Sequence, residues 1–508
     1  MARTSSGTQP ATPPATSNRS TIPTSDRFTT FISQGWAEQP DVAPAPRDQA
    51  GFAAARRGTL SQRFPGKRLI IPAGGTKTRS NDTDYAYRAH SGFSHLTGWA
   101  SDTVPGSVLV LEPTEHGHEA TLYLRASAGR DSSEFYANPE IGEFWIGPRP
   151  SLAHVAADLG LATADLADFA AILDAVDPDT LVVRDADQEL TDSIDGRRLL
   201  DAEVSDTELP GADSFDADSL GTAGDADLAR ELSELRLVKD AYEIEQMRRA
   251  VAVTKRGFDD IVDDLPAIAA HERGERLVEG TFNRRARAEG NAVGYDTIAA
   301  SGPHACILHW TRNDGPVAPG DLILIDAGIE LDSLYTADIT RTLPVGGTFG
   351  EVQRRVYEAV REAADAAFAI VRPGIRFREI HAEAMKVIAA KTAEWGILPV
   401  SAEESLLPEN QYHRRYMVHG TSHHVGIDVH DCAKARRELY HDGVLEAGMV
   451  FTIEPGLYFQ PDDLTVPEEY RGIGVRIEDN ILVTESGAEN LSIAIPRTAD
   501  DVEAWLAS

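Results

Sequence analysis

The stretch "DLILIDAGIELDSLYTADITRTLPV" occupies residues 321–345. Its opening run, Leu322 to Ile325, is continuously apolar and ends on Asp326. Such a run reads as a buried strand. A second extended run, "TADITRT", carries Asp338. The two acids are twelve positions apart, with Gly328 and the polar "ELDS" between them, and that length fits a β-hairpin that folds both carboxylates to one point. Each acid lies beside apolar residues, where an unpaired charge costs several kcal/mol, roughly. Taken alone, the pair has a plain structural explanation as hairpin-end acids that cap turns.

Two further acids sit in similar surroundings. "MVFTIEPGLY" (449–458) puts Glu454 at the end of a strand-like run, and "YRGIGVRIEDNILV" (470–483) puts Glu478 inside another. Each alone fits an edge strand, but Glu in an apolar strand pattern is uncommon because it is seldom buried unpaired. Between these segments and the hairpin, "VHGTSHHVGIDVHD" (418–431) holds four of the fifteen histidines: His419, His423, His424 and His430. Gly420 and Gly426 argue against a helix, and Val425, Ile427 and Val429 alternate with polar or small residues at the period of a strand. Asp326, Asp338, Glu454 and Glu478 together carry −4, which two divalent ions neutralise. A carboxylate-rich, thiolate-free set with one imidazole suits hard ions such as Mn²⁺, with Co²⁺ or Zn²⁺ as alternatives. Two ions roughly 3.5 Å apart activate a shared hydroxide and stabilise an oxyanion.

The chain around these motifs has 508 residues, 42% of them hydrophobic, and calls for two or more domains. Its net charge of −33 argues against nucleic acid and anionic membrane as partners. Two cysteines, Cys306 and Cys432, exclude a disulfide scaffold and point to a reducing, cytoplasmic setting. No apolar run approaches the ~18 residues of a membrane helix, and the N-terminus has no apolar core of a secretory signal. Residues 1–50 read as a disordered Ser/Thr/Pro tail and extension, with a helical pattern from Arg27 to about Glu38. Residues 51–235 read as an α/β domain, with strands at 67–72, 107–113, 120–125 and 180–185 and a helical pattern over 151–176. An acidic linker covers 204–227. The remaining part, 236–508, opens with a capping box at Asp240 and Glu243 and an apolar stripe of Ile244, Met247, Val251, Phe258 and Ile261.

In order, "DAG", "ADITRT", "HGTSHHVGIDVHD", "EPGLY" and "GVRIED" resemble the metallopeptidases that share the methionine aminopeptidase fold. The closer likeness is to the Xaa-Pro aminopeptidases, or aminopeptidase P. "CILHWTRND" (306–314) is similar to that family's substrate loop, and "TRSNDTDYAYRAHSGFSHLTGW" (78–99) to its N-terminal domain. The resemblance spans roughly Gly51 to Val483. It implies a creatinase-like N-terminal α/β domain followed by an α/β (α+β) "pita-bread" catalytic domain with a dinuclear centre, commonly manganese. Carried over by position, it implies that Asp326 binds one ion, His423 and Glu454 the other, and that Asp338 and Glu478 bridge them. His309 and His430 match substrate-binding histidines, His419 a further active-site histidine, and Arg476 an arginine kept close to the metals. His424 is left structural or exposed. "CAKARRELYHDG" (432–443) departs from the family pattern and receives no role.

The implied reaction is hydrolysis of the bond between an N-terminal residue and a following proline in a peptide. The free amine is expected near Asp326, and Glu454 is expected to carry the proton to the leaving nitrogen. A homo-oligomer, dimer or tetramer, is expected. A prolidase restricted to dipeptides is the nearest alternative. A metal-free peptide- or protein-binding module on the same fold is an alternative of another class, disfavoured by the complete ligand set.

Overall fold

The computed structural model describes residues 22–23, 25–37, 42–81, 83–205 and 222–508. The expected helix near the N-terminus is present but shorter, Asp26–Ile32, capped by the Ser25 hydroxyl. Most of the expected tail, and residues 206–221 of the expected linker, lie outside the described residues.

The N-terminal half is built on a five-stranded mixed sheet. Its strands are β1 (Arg68–Pro72), β2 (Val108–Thr114), β3 (Gly117–Leu124), β4 (Ala162–Asp165) and β5 (Thr180–Val182), in the order β4-β3-β2-β1-β5. β1–β2 and β2–β3 are antiparallel; the edges β4 and β5 join in parallel. The helical pattern read over 151–176 is corrected where a strand interrupts it: a helix at Leu152–Leu159 stops at Gly160 in the left-handed region, β4 follows, and short helical turns resume at Leu166. Tertiary pairing of "ATAD" with β3 overrides its local helical preference. Helix α1 (Ala50–Arg63) packs on this sheet. Residues assigned to the extension also belong to this body: Arg47 bonds the carboxylates of Asp102 and Asp158. The end of the expected linker is likewise structured, since helix α2 (Thr222–Glu234) buries Asp225 against Arg198 and Arg184.

The C-terminal half begins with α3 (Ala241–Ala269), started by the expected capping box of Asp240 and Glu243, and pairs it with α4 (Gly274–Glu289). Two small antiparallel sheets carry the acids. The first joins β6 (Ile298–Ser301), β7 (Leu322–Ala327) and β8 (Ile339–Pro344) in the order β8-β7-β6; β7 is buried at every position. Ile323 and Ile325, both fully buried, each contribute about 2–3 kcal/mol by leaving water. The second joins β9 (Val450–Ile453), β12 (Asp479–Val483) and β13 (Ala488–Asn490), and a two-stranded ribbon of β10 (Gly456–Tyr458) and β11 (Gly474–Arg476) lies beside it. Helices α5 (Glu351–Ala369) and α6 (Phe377–Glu394) cover the outside. Among the described residues no helix is long and apolar enough to cross a membrane.

Candidate active site

The hairpin forms as its sequence suggested. Asp326 lies opposite Thr340 in the β7–β8 ladder, and Asp338 precedes β8 by one residue. Gly328 sits so close to the carbonyl of Ala337 that a Cβ would collide with it, which is why a glycine follows Asp326 so closely. The two carboxylates meet at one phenol: the Tyr295 hydroxyl lies 2.7 Å from Asp326 Oδ1 and also contacts Asp338 Oδ1. Glu454 directly follows β9, and Glu478 sits in the break between β11 and β12 rather than inside a strand.

The histidine segment departs from its reading. The alternation of Val425, Ile427 and Val429 produces no strand, only one bridge between His424 and Phe451, and the rest is bends. The turn splits the four histidines. His423 points its Nε2 at Asp338 Oδ2 (3.2 Å) and Glu454 Oε1 (3.4 Å), while its Nδ1–H donates to the carbonyl of His424 (3.1 Å). His424 is buried, stacked on Phe377 at 4.8 Å, so it is structural and not exposed. His430 sets its ring edge-on to His423 at 4.5 Å. His419 Nε2 meets the hydroxyl of Tyr458 (2.8 Å), which also accepts from Arg476 (3.2 Å). Arg476 reaches Asp326 Oδ2 at 2.5 Å and Thr340 Oγ1 at 3.1 Å.

All nine expected residues line one cavity of about 550 Å³: Asp326, Asp338, His423, Glu454 and Glu478, with His309, His419, His430 and Arg476. Sequence reading missed three members of the site. Tyr295 lies in no acidic or histidine motif, and only its place just before β6 sets it apart. Tyr458 was visible in "EPGLY" but its hydrogen bonds were not. Thr340, in "ADITRT", donates to Glu478 Oε2 at 2.7 Å.

The electrostatics are those of a site short of positive charge. Burial pushes Glu478 well above its ordinary range, and the neighbouring Asp338, Glu454 and Asp326 add to the push. Burial raises Asp326 too, against the pull of Arg476. Glu454 is pushed up to about 7 by burial, with His423 opposing and Asp338 adding. For Asp338 burial also raises, but the hydrogen bond and charge of His423 outweigh it and the carboxyl falls. His423 rises to about 9 because the Asp338 and Glu454 carboxylates overcome its burial. Burial, aided by Arg476, drops His419 to about 3.

These residues fit divalent cations. Asp338, His423 and Glu478 each offer a ligand atom within 4.8 Å of the others. Glu478 Oε1 is buried with no hydrogen-bond partner, an acceptor that protein groups leave open. Carboxylates around a single imidazole form a hard donor set.

Fold and site together define a metal-dependent hydrolase. Residues 245–485 match Metallopeptidase family M24, and residues 53–182 match the aminopeptidase P N-terminal domain. Xaa-Pro aminopeptidase 2 of Streptomyces coelicolor is 49% identical over 487 residues, 95% of this chain and 96% of that protein. Xaa-Pro aminopeptidase of Escherichia coli is 32% identical over 90% of this chain and 97% of its own length. The structure of Escherichia coli aminopeptidase P with the inhibitor Pro-Leu superposes with a TM-score of 0.74 at 30% identity, covering 90% of this chain and 98% of that one. The chain belongs to the M24 metallopeptidases, in the aminopeptidase P group, and is a metal-dependent aminopeptidase. The alternative of a metal-free binding module is set aside.

Proposed function

We propose that the chain removes the N-terminal residue from peptides whose second residue is proline, at a dinuclear centre held by Asp326, Asp338, His423, Glu454 and Glu478. The observation that carries this reading is the convergence of these five side chains in one cavity whose walls include His309, His419, His430 and Arg476. When bound, the two ions lower the pKa of a water and polarise the scissile carbonyl. The chain's own residues do the rest. Asp326 anchors the substrate amine. Arg476 holds the Asp326 carboxylate through Oδ2. Glu454 moves a proton at its carboxyl oxygen to the leaving proline nitrogen. His309 and His430 flank the proline ring, and His419 acts beside Tyr458. A proline bond has no N–H for a backbone-reading protease, so the ring must be recognised by shape.

The reading includes Mn²⁺ in preference to Co²⁺ or Zn²⁺, on the hard donor set, and a cytoplasmic site of action, on two buried cysteines left as free thiols. It divides the chain near residue 235, supported by separate apolar cores on either side. It also includes self-association as a dimer or tetramer, supported by the exposed Phe144, Trp145 and Ile146. Assays of Gly-Pro, Gly-Pro-X and Gly-Ala-X test the specificity: Gly-Pro-X alone should turn over well. Cleavage of dipeptides only would make the protein a prolidase, and equal kcat/KM for Gly-Ala-X would make it a general aminopeptidase. Chelation followed by titration with each metal tests the choice of ion.

A further inference from the structure

The loop that carries His309 is held from behind by one buried carboxylate outside the metal cavity. Glu275, the second residue of α4, is fully buried. Its Oε1 accepts from the backbone N–H of Ser301 (2.8 Å) and from His304 Nδ1 (2.7 Å). Its Oε2 accepts from the backbone N–H of Gly315 (2.7 Å) and from Trp310 Nε1 (2.9 Å). The Gly315 carbonyl accepts in return from the Glu275 N–H (3.2 Å). One side chain therefore ties together both ends of segment 301–315 and its middle. The start of α4 favours the negative charge, and four donors satisfy a carboxylate that is costly to bury otherwise.

The surroundings are shaped for this clamp. A Cβ on Gly315 would come within 2.8 Å of His304 Cε1 and 2.9 Å of Glu275 Oε2. His304 stacks on Trp310 with centroids 3.9 Å apart. Asn313 fixes the far end, donating to the Thr297 carbonyl (2.8 Å) and accepting from the Ala299 N–H (3.0 Å). Leu308, His309 and Thr311 line the cavity, while Trp310 between them turns to Glu275. The His309 side chain is exposed and makes no hydrogen bond among the described residues, while its carbonyl accepts from the Thr311 N–H (3.0 Å), so its direction is inherited from the loop.

We infer that Glu275 is a positioning residue for the reaction, setting the loop so that His309 faces the bound peptide. This rests on the role of His309 proposed above. Glu275→Gln keeps the shape but turns an NH₂ group toward donors. With metal content unchanged, it should lower kcat/KM for Gly-Pro-X by about 10²-fold, the scale of a roughly 1 Å misplacement. In a His309→Ala background the same change should cost less than about twofold, because the group it positions is already gone. Trp310→Phe removes one donor and keeps the stack, and should repeat the pattern at about tenfold; it decides the matter if Glu275→Gln does not fold. Equal losses in both backgrounds, or wild-type kcat/KM in a folded variant, would overturn the clamp. A wild-type rate in His309→Ala alone would instead remove the reading of His309, and with it the route proposed for Glu275.

Discussion

Asp225 and Glu478 are each 1% exposed, yet their surroundings are opposites. Asp225, in the N-terminal half, faces the guanidinium of Arg198 through both oxygens at 2.9 Å, meets Arg184 at 3.0 Å and accepts the Val182 N–H at 2.8 Å. Glu478 accepts one hydroxyl, from Thr340, leaves its other oxygen unpartnered and has three more acids for neighbours. Asp431, next to His430, repeats the satisfied pattern with Arg236 and Lys239. Asp225 and Asp431, buried where they serve the fold, are paired with cations. Glu478 in the cavity is not, among four acids that share Arg476 and His423, and the missing positive charge is what divalent ions bring.

The largest expected effect breaks the unsatisfied side of that contrast. Asp338→Ala removes an acid that touches Tyr295 and His423 together. It should lower kcat/KM by at least the roughly 10²–10³-fold that loss of a single oxyanion donor costs, with metal lost in proportion. Elemental analysis showing two ions per chain in the variant would refute a bridging role. On the satisfied side, Asp225→Asn leaves Arg198 buried with one fixed charge fewer. It should cost about 3–5 kcal/mol of stability in denaturant unfolding, while kcat per folded molecule and metal content stay at wild-type values.

The histidines sharpen the contrast within a single segment. His430→Ala should reduce kcat by about 10²-fold, as removal of one contact to the reacting group does, with metals retained. His424→Ala empties a place stacked on Phe377 and should cost about 2 kcal/mol of stability with little change in kcat per folded molecule. Metal analysis and steady-state kinetics on the two variants together would expose a wrong assignment, whose mark is metal loss from His430→Ala.

The acids and histidines were legible because a charge in an apolar run is rare enough to be read without its partners. The geometry around them was not. Tyr295 belongs to the site through hydrogen bonds to residues 31 and 43 positions away. Glu275 looks in sequence like any first-turn helix acid, and only the fold brings Ser301, His304, Trp310 and Gly315 to it. Both errors in local structure have the same origin. "ATAD" became a strand because β3 offered an open edge, and "VGIDVHD" did not because only His424 found a partner strand. Pairing across long separations decided both against local pattern.

The smallest effect is also the one that isolates charge from chemistry. With no metal bound, Glu454 is held protonated up to about pH 7, against about 4.3 in an unfolded chain. Between those values the folded state binds the extra proton, so this group's contribution to stability is present at low pH and is lost as pH rises through about 7. Glu454→Gln removes that titration and keeps the shape. In chelated protein the variant should therefore gain on the wild type as pH rises from 5 to 7, by up to about 1.4 kcal/mol per unit. With Mn²⁺ present the order should reverse, because the wild type keeps a ligand that the variant lacks and binding stabilises only the folded state. Urea unfolding of both proteins at pH 5, 6 and 7, with and without metal, reads both signs. A margin that stays flat across pH in the chelated proteins would mean that Glu454 is paired much as Asp225 is, and that the contrast between the two regions fails at that residue.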